Sequence, residues 1–234
     1  MTTTYTHDSL DIHLPSGVTL QSDIWKPANE VSLNPEATKV AICLHPWSWL
    51  GGRKEDPVLT SLVEPLLLAD YIVMSYNSRG VGRSSGWRSF TGFSEAEDLK
   101  ALVQWVIQQH PNITSVVLLG YSHGSLITSL HPALTSPKIS HILLSYPLGP
   151  RTWLTLFNSS SYTTALRQLV EDPNSNVLLI FGDQDEFTSI SSYKSWASEL
   201  EGPNARVVEI KSASHFWRGR SALQLESAIL DWLP

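Results

Sequence analysis

Ile113-Thr-Ser-Val-Val-Leu-Leu-Gly120-Tyr121-Ser122-His123-Gly124 is the stretch that decides the reading of this chain. An apolar run leads into a G-x-S-x-G sequence, and a helix-compatible segment follows from His123 to about His131. A serine on a sharp strand-to-helix turn has its Oγ exposed at the top of a sheet, where it can act as a nucleophile. The glycines have a steric task. Gly120 and Gly124 remove bulk where strand and helix cross closely, and the turn forces angles that a Cβ resists. The pentapeptide alone is common and could be a Gly/Ser turn with no chemistry, so the rest of the chain must supply the partners.

A serine nucleophile on such a turn is followed along the chain by an acid and then a histidine. Of eight histidines, His123, His131, His141 and His215 lie after Ser122. Only His215 also follows a further acid site. It sits in Ser214-His215-Phe216-Trp217, just after the run Ala205 to Ile210, in a loop at a strand's carboxyl end. Catalytic groups of open α/β sheets collect there. The acid is expected after the buried strand Val177-Leu-Leu-Ile-Phe-Gly182, where Asp183, Asp185 and Glu186 follow at once. Asp185 is favoured, because Asp183 lies against the strand end and suits a turn cap; Glu186 ranks third. The acid would fix the imidazole tautomer and stabilise the imidazolium.

Two backbone donors are expected to hold an oxyanion. One is the N–H of His123, the residue after the nucleophile. The other belongs to the loop after the strand Val40 to Leu44, which reads His45-Pro46-Trp47-Ser-Trp49-Leu-Gly51-Gly52. Pro46 has no N–H, so the N–H of Trp47 is the candidate. The His45 ring is expected to order this loop and not to serve as a second base.

Composition fits one globular domain over residues 1–234. A chain of this length hides roughly 70–75% of its unfolded surface. The net charge of −6 argues against a nucleic-acid surface. Cys43 is the only cysteine, so an intrachain disulfide is impossible; it lies in an apolar strand and reads as a small core residue. The start, Met1-Thr-Thr-Thr-Tyr-Thr-His7, has no basic or apolar region of a signal peptide. No apolar run approaches the ~20 residues of a membrane span. A cytoplasmic setting is the expectation. No metal or cofactor is expected, since the histidines show no ligand spacing.

Strands and helices alternate along the chain. Ser9–Leu14 and Val18–Trp25 read as a hairpin joined by Pro15-Ser-Gly17. Strands are expected at Val40–Leu44, Tyr71–Tyr76, Ile113–Leu119, Ile139–Tyr146, Val177–Phe181 and Arg206–Ile210. Helices are expected at Glu55–Ala69, bent at Pro65, from a Ser94–Glu97 capping box to His110, within Arg151–Val170, at Ile190–Leu200 and at Ser221–Trp232. A hairpin followed by β/α alternation predicts a mostly parallel, doubly wound sheet.

Four segments together resemble the α/β-hydrolase superfamily, and within it a lidless serine hydrolase subgroup. They are His45-Pro46 with Gly51-Gly52, Asn77-Ser-Arg79-Gly-Val-Gly82-Arg-Ser84-Ser-Gly86, Gly120-Tyr-Ser122-His-Gly124, and His215-Phe-Trp217-Arg-Gly219. The resemblance covers nearly the whole chain. It implies an α/β-hydrolase fold of about eight strands with a minimal cap, and a triad of Ser122, Asp185 and His215. His123 and the Trp47-Ser-Trp49 sequence depart from the subgroup's pattern, which bears on substrate preference. The segment Pro147–Asn176 has room for one helix and a short excursion, not a large cap.

Arg79 is expected to pair with Asp98 or Glu95; Arg83 or Arg88 could instead reach the cleft mouth and meet an anionic substrate. Nine tryptophans is a high count. Trp47, Trp49, Trp87, Trp153 and Trp217 are expected at the carboxyl edge of the sheet, where an apolar wall that includes Trp49, Trp153 and Trp217 would suit an aryl or acyl group; scattered core packing is the alternative. The expected activity is hydrolysis of a small-molecule carboxylic ester or thioester through an acyl-enzyme. Prolyl-type peptidase, acyltransferase and non-catalytic binding protein are the alternatives.

Overall fold

The computed structural model describes residues 5–27, 37–200 and 202–234. Met1–Thr4, the start of the segment read for a signal peptide, lies outside these. Eight strands form one sheet: β1 Tyr5–His13, β2 Thr19–Pro27, β3 Thr38–Leu44, β4 Tyr71–Tyr76, β5 Ile113–Tyr121, β6 Lys138–Leu144, β7 Val177–Gly182 and β8 Ala205–Ile210. Their spatial order is β1-β2-β4-β3-β5-β6-β7-β8. β1 pairs antiparallel with β2, and β2 antiparallel with β4; every later pairing is parallel.

The period of two along the central strands decides which helix meets which face. Val40, Ile42, Val116 and Leu118 share one core cluster with Leu99, Leu102, Val103 and Val106 of α3 (Phe93–Gln109). Those four helix positions follow the i, i+3, i+4, i+7 spacing of a buried stripe. Ala41, Cys43, Val117 and Leu119 face the other way. They pack with α1 (Pro57–Ser61), α2 (Val63–Leu68) and α8 (Arg220–Leu230). Cys43 is fully buried, and burial pushes its thiol up to about 12. Three further helices follow β5 and β6: α4 (His123–Thr128), α5 (Arg151–Leu154) and α6 (Ser159–Glu171). α7 is Ile190–Leu200.

Two local expectations are corrected. The Glu55–Ala69 helix is two short helices that meet at Leu62. Pro65 cannot donate to the carbonyl four residues earlier, so the first helix ends at Ser61 and the bend becomes a break. The Ser94–Glu97 capping box does not form. α3 starts two residues earlier, with Gly92 as its N-cap, at φ 80 and with no side-chain cap bond. Glu95 instead accepts from the backbone N–H of Ser89 (2.7 Å) and from its hydroxyl, and Ser89 Oγ accepts from Gly92 N (2.8 Å). A Cβ at Gly92 would lie 2.3 Å from the Tyr162 hydroxyl, so the close approach of α6 sets this helix start.

Candidate active site

Ser122 stands between β5 and α4 at φ 54, ψ −118. A non-glycine residue in this region carries strain on the order of 1–3 kcal/mol and persists only where its surroundings enforce it. They do so here. Ser122 N donates to Leu144 O at 2.8 Å, and Ser122 O accepts from Ser125 N (2.9 Å) and Ser125 Oγ (2.6 Å). A Cβ at Gly120 would sit 2.4 Å from Gly124 O, and one at Gly124 2.4 Å from Leu44 O. Helix α4 therefore crosses the sheet at glycine-only distance.

His215 lies on the loop after β8 and is largely buried. Its Nδ1 is 2.7 Å from Asp185 Oδ2. A carboxylate only accepts, so Nδ1 is the nitrogen that donates to Asp185. The Asp185 side chain is itself closed off from solvent. Its Oδ1 accepts from Phe187 N (2.8 Å) and Thr188 N (3.0 Å), and Tyr193 Oη donates to Oδ2 at 3.3 Å. Asp183 does not approach the ring. It accepts from Ser212 N at 2.7 Å and anchors the next loop. Glu186 touches His215 only through the backbone, accepting from His215 N at 2.8 Å.

Ser122 and His215 open into one cleft of about 250 Å³. Ser122 Oγ makes no hydrogen bond to any described residue. Catalytic hydrogen bonds are often loose without substrate. The N–H groups of Trp47 and His123, on the two sides of this serine, likewise donate to no acceptor among the described residues. The loop that carries Trp47 is fixed by Gly52 N donating to Trp47 O (3.1 Å), and a Cβ at Gly52 would collide with Pro46 O at 2.2 Å.

The His45 ring orders that loop. Ser78 N donates to its Nε2 (3.1 Å), so Nδ1 carries the proton and donates to Pro46 O (2.7 Å). Burial pushes its pKa down to about 4. The neutral ring has both nitrogens committed and offers Ser122 no second base. His123 points away from the cleft into a cavity of about 20 Å³ beside Glu95 and Trp49, and burial pushes it down to about 3.

The expected tryptophan wall is corrected. Trp49 stacks on Phe90 (5.1 Å) and does not line the cleft. Trp153 is 74% exposed and packs on Phe157 outside the cleft. Trp217 is buried in the sheet's core, its indole N–H donating to Ser145 Oγ at 2.9 Å. The cleft walls are instead Leu50, Leu154, Phe187 and Phe216, with Trp47 at the oxyanion side. Phe187 sits edge-on to the His215 ring at 4.6 Å. A Phe immediately after each of Glu186 and His215 was the available signal for this wall.

Arg79 forms a bidentate pair with Asp98, at 2.7 and 2.6 Å. Arg83 lies 3.7 Å from Asp11 on β1, and Arg88 donates to Gly80 O and Ser48 O. Neither lines the cleft.

A fold of this order, with a serine elbow beside a carboxylate-held histidine, is that of the α/β hydrolases. The family described as Serine aminopeptidase, S33, matches residues 57–155. An uncharacterized protein of Rickettsia prowazekii is 28% identical over 198 residues, 83% of this chain and 78% of that protein. A serine hydrolase without lid from Xanthomonas campestris superposes with a TM-score of 0.74 at 27% identity, covering 97% of this chain and 95% of that one. A serine hydrolase homologue from Coxiella burnetii gives 0.75 at 25% identity, covering 97% of each. Est1E of Butyrivibrio proteoclasticus, solved with ferulic acid bound, shares the fold (0.76, 20% identity, 95% and 96% covered). The chain belongs to the α/β-hydrolase superfamily.

Proposed function

We propose that the protein is a serine hydrolase acting on a small carboxylic ester or thioester, with Ser122, His215 and Asp185 as its triad. The observation that carries this reading is the 2.7 Å contact from Asp185 to His215 Nδ1 in the same cleft as a strained Ser122. His215 Nε2 takes the proton of Ser122 Oγ as that oxygen bonds to the substrate carbonyl carbon. The carbonyl oxygen becomes an oxyanion held by the N–H groups of Trp47 and His123, each donor worth about 3 kcal/mol of barrier. The leaving alcohol or thiol receives the proton from His215. Water then attacks the acyl-enzyme, gives its proton to His215, and restores Ser122 as the acid departs.

A fluorescent fluorophosphonate tests the nucleophile, and short-chain p-nitrophenyl esters test turnover. Wild type is expected to label and turn over; Ser122→Ala and His215→Ala are expected to lose at least about 10⁴-fold in kcat. A folded wild type that neither labels nor turns over would instead favour a non-catalytic binding protein. A peptidase reading has one observation of its own, the serine aminopeptidase description of the matched family. Aminoacyl p-nitroanilides separate it, since the same machinery would then cleave an anilide that a plain esterase leaves intact.

A further inference from the structure

We infer that Asp56 makes this cleft select ligands that carry an ammonium group; the link to turnover rests on the serine hydrolase reading above. Asp56 is the only carboxylate among the described residues that line the cleft with Ser122 and His215. Around it the lining is mostly apolar, from Leu50, Leu154, Phe187, Phe216 and three prolines.

The helix-capping role of Asp56 accounts for its position but not for its charge. Its Oδ1 accepts from Val58 N at 2.9 Å at the start of α1. Ser, Thr or Asn would cap as well without placing an anion beside an apolar wall. Burial raises the Asp56 pKa, opposed by the backbone N–H groups of Val58 and Leu59 and by the nearby His215 ring.

No Lys or Arg pairs with Asp56 among the described residues. Lys54, two positions away, is committed to Asp23 and to Glu55 (3.0 Å). Arg218 lies in the adjoining pocket with Asp56, but its guanidinium sits over the Phe216 ring at 5.4 Å. The Asp56 carboxylate thus lines the cleft with backbone N–H groups and His215 near it and no Lys or Arg paired to it among the described residues. An ammonium group entering there meets an unpaired carboxylate in a partly desolvated setting, where attraction is stronger than in water. Phe187 and Tyr121 belong to the same lining, and aromatic rings attract an alkylated ammonium.

Equilibrium binding of choline and of its uncharged isostere 3,3-dimethyl-1-butanol, measured by calorimetry, tests this without any turnover. Wild type is expected to prefer choline by about tenfold in Kd. Asp56→Asn, which keeps the cap, and Asp56→Ser, which caps through a shorter side chain, are both expected to bring the ratio close to one. Equal affinities in the wild type, or a ratio that both variants retain, would overturn the inference.

Turnover adds the direction of the ligand. The kcat/KM ratio of a thiocholine ester to its 3,3-dimethylbutyl thioester reads a cation on the leaving group. The ratio of a 4-aminobutyryl to a pentanoyl p-nitrophenyl ester reads one on the acyl group. Each ratio cancels any loss common to both substrates. A protein that hydrolyses none of these yet binds choline selectively would refute the hydrolase reading and leave the role of Asp56 standing.

Discussion

Among the segments at the carboxyl edge of the sheet that hold non-glycine residues at positive φ, two are held there in different ways. At the elbow, Ser122 (φ 54) is fixed by the close crossing of β5 and α4, where Gly120 and Gly124 leave no room for a Cβ. In the excursion after β6, Leu156 (φ 45) and Phe157 (φ 66) are held by local bonds. Phe157 N donates to Thr152 O at 2.7 Å, and Asn158 Nδ2 donates to Leu156 O at 3.0 Å. Their side chains stay 50% and 66% exposed. The elbow is determined by packing across the whole sheet; the excursion is determined by its own few residues. Function that needs sub-ångström placement belongs on the first kind of segment.

Substitution of the acid should separate the elbow's partners from their neighbours most sharply. Asp185→Asn is expected to lower kcat on p-nitrophenyl esters by about 10⁴-fold, because the amide can favour the wrong tautomer of His215. Asp183→Asn should stay within about tenfold, since Asp183 only anchors the loop at Ser212. Equal losses in the two would remove the assignment of Asp185.

Gly124→Ala should destabilise the protein by about 2–3 kcal/mol in urea unfolding, because its Cβ would fall 2.4 Å from Leu44 O. An unchanged midpoint would mean that the crossing can relax and that the strain at Ser122 is not enforced from outside.

Acid should act on buried histidines at some distance from the excursion. Burial holds His45 and His131 down to about 4 and His141 to about 3, against an ordinary 6.5. Unfolding below pH 6.5 therefore takes up protons that the folded rings refuse. Stability is fully present above pH 6.5 and falls as pH drops toward 4, by roughly 2–3 kcal/mol for each ring. Tm measured from pH 7.5 to 4.5 should decline steeply, and His141→Gln should flatten the decline. His141 Nδ1 has no partner among the described residues, so this ring gains nothing by charging in place.

The smallest effect is expected in the excursion. Trp153→Ala removes a side chain that is 74% exposed and should shift stability by no more than about 0.5 kcal/mol. A loss near that of Gly124→Ala would show that the two segments are equally constrained.

These differences also explain what could be read from the chain. The central strands follow from apolar runs whose alternate residues feed two separate cores, a pattern visible in Val40–Leu44 and Val116–Leu119. That Ser122 and His215 meet in one cleft and that Asp185 reaches His215 was legible, because each of the three follows such a strand. The cleft walls were not. Trp count reports aromatic content and says nothing of direction: Trp217 turns at φ 47 into the core while its neighbour Phe216 turns out. The capping box failed for a similar reason, since the contact of Tyr162 with Gly92 is long-range and leaves no mark near Ser94. Asp56 went unread because a lone Asp before a Pro looks like a helix cap, which it also is.

Asp185 holds the His215 ring with one oxygen and the backbone of Phe187 and Thr188 with the other. The carboxylate that holds the His215 ring thus also folds the loop that carries one wall of the cleft. The position of residue 187 is set through its backbone N–H and not through its ring. New substrate shapes can be explored by exchanging the ring of Phe187, with the backbone beneath it still anchored to the acid.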